Sequence, residues 1–138
     1  MGLLLANAAA TLFMTGLGWF VQVVHYPLFA DVGRKRFAAY HDAHSRRTTL
    51  VVLPPMAIEL LTSFALLFER PGGVSVGLAW AGAALAAVTW LSTALIQVPQ
   101  HRRLSPDRVP ALVAGAWVRT AAWSAHSAVV LAMLAAAK

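Results

Sequence analysis

Histidines are the residues of this chain best suited to chemistry, and two of them lie three positions apart. On a helix, His41 and His44 project from one side, so both imidazoles can reach one ligand. His25 and His101 stand at the ends of two apolar runs. Imidazole binds transition metals, and two histidines from different helices can also hold a haem iron. The sequence therefore predicts a metal site from these four histidines and Glu59, for iron, copper, zinc or manganese, or else a haem on His25 and His101. The alternative places the His41–His44 pair among neighbouring arginines at the lipid headgroups.

Glu59 is the only acidic residue inside an apolar run, and Arg119 is the only basic one. An ionisable group in hydrocarbon is costly and marks a functional candidate. We predict that Glu59, His101 and Arg119 are catalytic. Glu59 would act as a base, a metal ligand or a proton-coupling group, and Arg119 would stabilise an enolate or phenolate. A structural ion pair between Arg119 and Glu59 is the alternative.

Polar residues recur at helical spacing along each apolar run, which predicts a bundle with a polar interior. Packing of small and hydroxyl-bearing residues between helices also explains part of these stripes. The larger polar and aromatic side chains favour a pocket that opens toward the cytoplasmic end. We assign four of them to substrate binding, namely Gln22, Trp90, Gln97 and Trp123.

The composition places these side chains in a membrane protein. Apolar residues make up 59% of the chain and charged residues 12%, against about 45–50% and about 25% in soluble domains. Four apolar runs, at about 3–24, 50–68, 74–98 and 111–137, are each long enough to cross a bilayer. We predict a single transmembrane domain over residues 1–138. Its fold class is all-α: an integral membrane four-helix bundle in the lipid bilayer, with a short amphipathic cytoplasmic helix between spans 1 and 2.

Basic residues set the expected orientation. Eight of the eleven Lys and Arg residues lie in the segments 31–48 and 102–108, and such loops face the cytoplasm. We therefore expect both termini outside, in a multi-pass protein of a bacterial inner membrane. These loops also account for the net charge of +6, so we expect no nucleic-acid partner. The lack of cysteine excludes disulfides, thiolate metal ligands and iron–sulfur clusters.

Three short motifs link the chain to a family. They are HYP at 25–27, VPQHRRL at 98–104 and WVRTAAW at 117–123. With these motifs the chain resembles the anthrone-oxygenase-like group of small four-span membrane proteins. The resemblance implies four helices and, for a few members, oxygenation of an activated phenolic carbon without a dedicated cofactor. It also implies a set of pocket residues, namely His25, His101, Arg119 and Trp123.

These features favour a membrane oxidoreductase or oxygenase, with or without a metal or haem. Its substrate would be a small hydrophobic molecule, aromatic or quinone-like, that enters from the lipid. Two alternatives stay open: a small proton-coupled transporter that works through Glu59 as a homo-oligomer, and a non-catalytic membrane subunit of a larger complex. Substitution of Glu59 by Gln should abolish proton coupling in a transporter, whereas loss of the histidines should remove the cofactor from a metalloenzyme.

Overall fold

The computed structural model describes residues 1–138, in which four long helices form a bundle without any strand. Each is long and apolar enough to cross a membrane, and together they cover Gly2–Asp31, Arg34–Ala65, Val76–Arg102 and Pro106–Ala136. The predicted all-α four-helix membrane bundle is therefore confirmed. The main elements are α1 (Gly2–Phe20), α2 (Arg34–Ala65), α3 (Val76–Ser92), α4 (Val98–Arg102) and α5 (Val109–Ala136).

Two helices change their hydrogen-bonding pattern near the same end of the bundle. A π-helical turn at Val21–His25 follows α1 and leads into a 3-10 turn at Pro27–Asp31. A second π-helical turn, Thr93–Gln97, joins α3 to α4. The helical first span thus continues to Asp31, beyond residue 24 at which the apolar run ends. π-helical turns are rare in proteins, and those that occur are often found at functional sites.

The polar segment after the first span is helical, as predicted, and it is continuous with the second span. The helix α2 runs from Arg34 to Ala65 and contains Pro54 and Pro55. Proline has no backbone N–H, so the carbonyls one turn earlier lose their usual helical partners. The histidines of the polar segment therefore lie on the same continuous helix as Glu59.

Small residues bring α3 close to α5. Ala79, Gly82, Ala83 and Ala86 are buried on α3 and repeat every three or four residues, a spacing that lets membrane helices approach closely. Large apolar side chains lie on the outside of the bundle, where Leu50, Leu61 and Leu95 are among the most exposed residues. An apolar outside around a polar interior suits a lipid environment.

The connections fix the two ends of the bundle. Arg34 pairs with Asp107 at 2.9 Å, so the two basic segments meet at one end, which we name the basic end. At the opposite end, the backbone N–H of Lys138 donates to the carbonyl of Gly72 at 2.9 Å. Gly73 has φ of +84°, and a side chain there would collide with the carbonyl of Ala136.

Candidate functional site

A cavity of about 580 Å³ lies at the basic end, between the first three helical spans and α5. Its size is within the range of about 300–1,000 Å³ that small-molecule pockets occupy. Apolar side chains from α1 and α2 form much of its wall, including Met14, Leu17 and Val52. The polar part of the wall includes Tyr26, His41, His44, Gln97, His101 and Arg119, together with Asp42, Arg102 and several hydroxyl-bearing residues. Such a lining suits a hydrophobic molecule that carries a few polar atoms.

A hydrogen-bonded chain crosses this end of the bundle. Arg119 donates from Nη2 to the Tyr26 hydroxyl oxygen at 3.3 Å. The Tyr26 hydroxyl lies 3.0 Å from His101 Nε2, and His101 Nδ1 lies 3.1 Å from His41 Nε2. Asp42, an exposed carboxylate, lies 3.9 Å from His41 Nδ1. Asp42 also borders the cavity, so these side chains follow the cavity wall from the Arg119 cation to an exposed carboxylate, and the 3.9 Å contact between His41 and Asp42 is too long for a hydrogen bond.

The donors and acceptors in this hydrogen-bonded series determine which atom carries each proton. Because Arg119 already donates to the Tyr26 oxygen, the phenolic proton is available to His101 Nε2. His101 then carries its proton on Nδ1 and donates it to His41 Nε2. The contact between His101 Nδ1 and His41 Nε2 needs one N–H and one lone pair, so it is lost when both imidazoles are doubly protonated. The hydrogen-bonded part, from Tyr26 through His101 to His41, can pass a proton in steps along the cavity wall.

His44 has one open ring nitrogen beside the cavity. Its Nδ1 lies 2.8 Å from His25 Nε2 and 3.1 Å from the Thr48 hydroxyl. No group in the chain hydrogen-bonds to its Nε2. With its proton on Nδ1, donated to His25, His44 presents the Nε2 lone pair as a base, and His25 orients the ring.

Arg119 has donors to spare. Its guanidinium carbon lies 5.4 Å from the ring centre of Trp123, a cation–π contact. Its Nη1 donates to no group of the protein, whereas its Nε is buried out of reach of a ligand. A guanidinium with an unmet donor at a cavity wall is suited to bind an oxygen that gains negative charge.

Glu59 lies elsewhere, in a group that we name the sealed cluster: Glu59, His126 and the Trp123 indole. The Trp123 indole donates to Glu59 Oε2 at 2.9 Å, and His126 Nδ1 lies 2.8 Å from Oε1. Glu59 and His126 are fully buried. Glu59 does not border the cavity, and Arg119 forms no ion pair. The structure therefore corrects both predictions for Glu59: it is not in the pocket, and its partner is His126 rather than Arg119.

The four residues assigned to substrate binding fall into two groups. Gln97 and Trp123 border the cavity, as predicted. Gln22 and Trp90 do not: the Gln22 amide donates to the carbonyl of Val113 at 2.9 Å, and the Trp90 indole donates to that of Met56 at 3.2 Å. Their polar groups are used between helices, which corrects their assignment to substrate binding.

The histidines predicted as metal ligands are brought together as hydrogen-bond partners. His25, His41, His44 and His101 contact one another in pairs or through a stack of rings. No group of three or more His, Asp or Glu side chains in the structure is arranged to hold a metal ion. Glu59, the fifth predicted ligand, bonds to none of these four. The metal set and the bis-histidine haem site thus find no support in the side-chain geometry.

Two contributing residues escape the sequence argument. Tyr26 is the centre of the hydrogen-bonded chain, yet the polar stripe favours His25 at that turn. A π-helical turn has more residues per turn than an α-helix, so the inward position moves from His25 to Tyr26, which is only 3% exposed. His126 is the other: its spacing of three from Trp123 puts it on the polar stripe of the last span, but a site expected at the cytoplasmic end gives it no role.

Comparisons with known proteins returned no match, whether by family models, by curated sequences or by solved structures.

Proposed function

We propose that this chain is a membrane-embedded oxidoreductase of the oxygenase type. Its substrate is a small hydrophobic molecule with an aromatic or quinone-like ring, bound in the cavity at the basic end. One observation carries the proposal: an open imidazole nitrogen and a guanidinium with an unmet donor border the same, partly apolar cavity. The resemblance to the anthrone-oxygenase-like group points the same way.

Arg119 and Tyr26 supply the electrophilic side of the site. Both border the cavity, and Arg119 already holds the Tyr26 hydroxyl. A substrate oxygen that becomes a phenolate or enolate would gain the free Nη1 donors of Arg119. Preorganised donors in a site with little water stabilise such an anion strongly, because they need no rearrangement.

His44 supplies the base. Its Nε2 accepts the proton from the acidic C–H next to the ring, and the electron pair moves to the substrate oxygen. Dioxygen is the co-substrate and the oxidant. A methylene becomes a carbonyl, one oxygen atom stays in the product, and the other leaves as water with the two hydrogens. Dioxygen takes the electrons directly from the anion, so the step requires no group beyond this chain's residues.

Oxygen uptake tests the proposal. The protein in lipid nanodiscs is supplied with anthrone, and dioxygen consumption and quinone formation are recorded. His44→Ala should lower turnover by about 10²–10⁴-fold, the usual contribution of a general base, and Arg119→Met by about 10²–10³-fold. Arg103→Met removes an exposed arginine at the same end that does not border the cavity, and it should keep full turnover.

Turnover that is equal in wild type, His44→Ala and Arg119→Met would contradict the proposal. The transporter hypothesis depends on Glu59, and Glu59 has no contact with the cavity, so a substrate path through it would require the sealed cluster to open. The subunit hypothesis leaves the open His44 nitrogen and the unmet Arg119 donor without a role.

We further propose that the basic end faces the cytoplasm of a bacterial cell, as the arginine-rich segments favour. Because the chain has no cysteine, single-cysteine variants can report the sidedness. A membrane-impermeant maleimide should label Gly72→Cys in intact cells, and it should label Ser105→Cys only after the membrane is opened. The reverse pattern would contradict this orientation.

A further inference from the structure

A second cavity, of about 380 Å³, shares part of its wall with the first. We name it the outer groove. Both cavities are bordered by the same five residues of the α1–α2 seam: Leu17, Val21, His44, Thr48 and Val52. The seam residues therefore have one cavity on each side.

The two cavities differ in what surrounds them. Several residues that border only the outer groove are exposed on the bundle surface: Phe20 by 54%, Val51 by 51% and Tyr40 by 40%. The first cavity, which we name the inner cavity, reaches deeper: Tyr26, Gln97 and Trp123 on its wall are exposed by 3% or less, although Asp42 and Val98 at its rim are exposed. The outer groove opens on the bundle surface, and its lining is mostly apolar, with the charged Arg47 at its edge.

We infer that the substrate carries an aliphatic tail, and that this tail lies in the outer groove while the aromatic or quinone-like ring occupies the inner cavity. The inference rests on the proposed function and narrows its substrate class to alkylated or prenylated aromatic and quinone-like molecules. Because the seam residues border both cavities, only these side chains lie between a ring in the inner cavity and an aliphatic tail in the outer groove.

Position 43 offers a selective probe of this inference. Ala43 borders only the outer groove, so Ala43→Phe fills the groove and leaves the inner cavity unchanged. Ala125→Phe makes the same change at an exposed position of α5 that borders neither cavity. Menadione is the ring without a chain, and phylloquinone is the same ring with a phytyl chain.

The experiment measures saturable quenching of tryptophan fluorescence by each quinone, with the protein in phosphatidylcholine nanodiscs. Ala43→Phe should weaken phylloquinone binding by about tenfold or more, because each buried methylene contributes about a fourfold factor in affinity. It should leave menadione binding unchanged. Ala125→Phe should change neither, which controls for partition of phylloquinone into the bilayer. If Ala43→Phe does not fold, Val51→Trp blocks the groove from its exposed rim.

Equal effects of Ala43→Phe on both quinones, or an effect on neither, would overturn the inference and leave the proposed function standing. A variant that binds both quinones normally but loses co-purified phospholipid would assign the groove to a lipid acyl chain, which also overturns it. A wild-type protein that binds neither quinone saturably would instead overturn the proposed function itself.

Discussion

The sealed cluster and the cavity at the basic end both contain imidazoles, but their surroundings differ. His126 is fully buried and faces a carboxylate, Glu59, which also accepts from Trp123. The histidines at the basic end are partly exposed and face one another, Tyr26 and hydroxyl groups. The Glu59–His126 pair has no access to a ligand and holds two helices together. The histidines beside the cavity bond mainly to one another, which leaves a ring nitrogen of His44 with a free lone pair.

The two regions meet at Trp123. Its indole N–H is held by Glu59, while its ring borders the cavity and lies under the Arg119 guanidinium. Glu59 is therefore a positioning residue for the cavity wall as well as a link between α2 and α5. This arrangement explains how a residue can matter to the site without touching a substrate.

Substitution of Glu59 by Ala should have the largest effect on stability. It leaves the Trp123 indole and His126 Nδ1 buried without an acceptor, which costs about 3–5 kcal/mol in the free energy of unfolding. Thermal unfolding in detergent measures the loss. Glu59→Gln keeps one oxygen acceptor at the same volume and should lose much less. Equal stability of Glu59→Ala and wild type would show that the sealed cluster is not structural.

Substitution of Tyr26 by Phe should act on turnover. It removes the hydroxyl between Arg119 and His101 but keeps the ring, so the proton path is cut. We expect turnover to fall by about tenfold or more, while menadione still binds. Tyr40→Phe is the matched control with anthrone as substrate, because Tyr40 borders only the outer groove, which anthrone has no aliphatic tail to reach, and its hydroxyl makes no hydrogen bond. A Tyr26→Phe variant with normal turnover would remove Tyr26 from the mechanism.

Substitution of Gly18 by Ala should disturb the junction of the two regions. A Cβ at this position would lie 3.1 Å from Trp123 Cε3, and the Trp123 ring is held in place by Glu59. Such overpacking costs about 1–3 kcal/mol and should also shift the tryptophan fluorescence. Gly16→Ala, where the Cβ meets nothing within 4 Å, should not destabilise the protein. Identical unfolding of the two variants would show that Trp123 is free to move.

Substitution of Arg34 by Ala should have the smallest effect. Both side chains of the Arg34–Asp107 pair are largely exposed, at 75% and 71%. Exposed pairs contribute little, so the free energy of unfolding should change by less than about 0.5 kcal/mol. The measurement is the same unfolding curve, recorded at low and high salt. A large loss would mean that the connections at the basic end determine the bundle's stability.

The sequence predicts the spans well because long apolar runs and loop arginines are strong local signals. It also places His25, His41, His44 and His101 near one end of the bundle, but their convergence cannot be derived from spacing. The rotation of each helix is a matter of packing, and the π-helical turn at Val21–His25 changes it. The partners of Glu59 and Gln22 depend on that rotation, so their roles could not be derived from spacing alone.

We propose that the basic end carries the chemistry and that the sealed cluster stabilises the fold. The same substitution made in both regions separates the two roles: His44→Ala and His126→Ala, each assayed for thermal unfolding and for turnover per folded molecule. We expect His44→Ala to unfold near the wild-type temperature and to have lost turnover. We expect His126→Ala to unfold at a lower temperature and to retain turnover while folded. The reverse pattern would contradict both assignments.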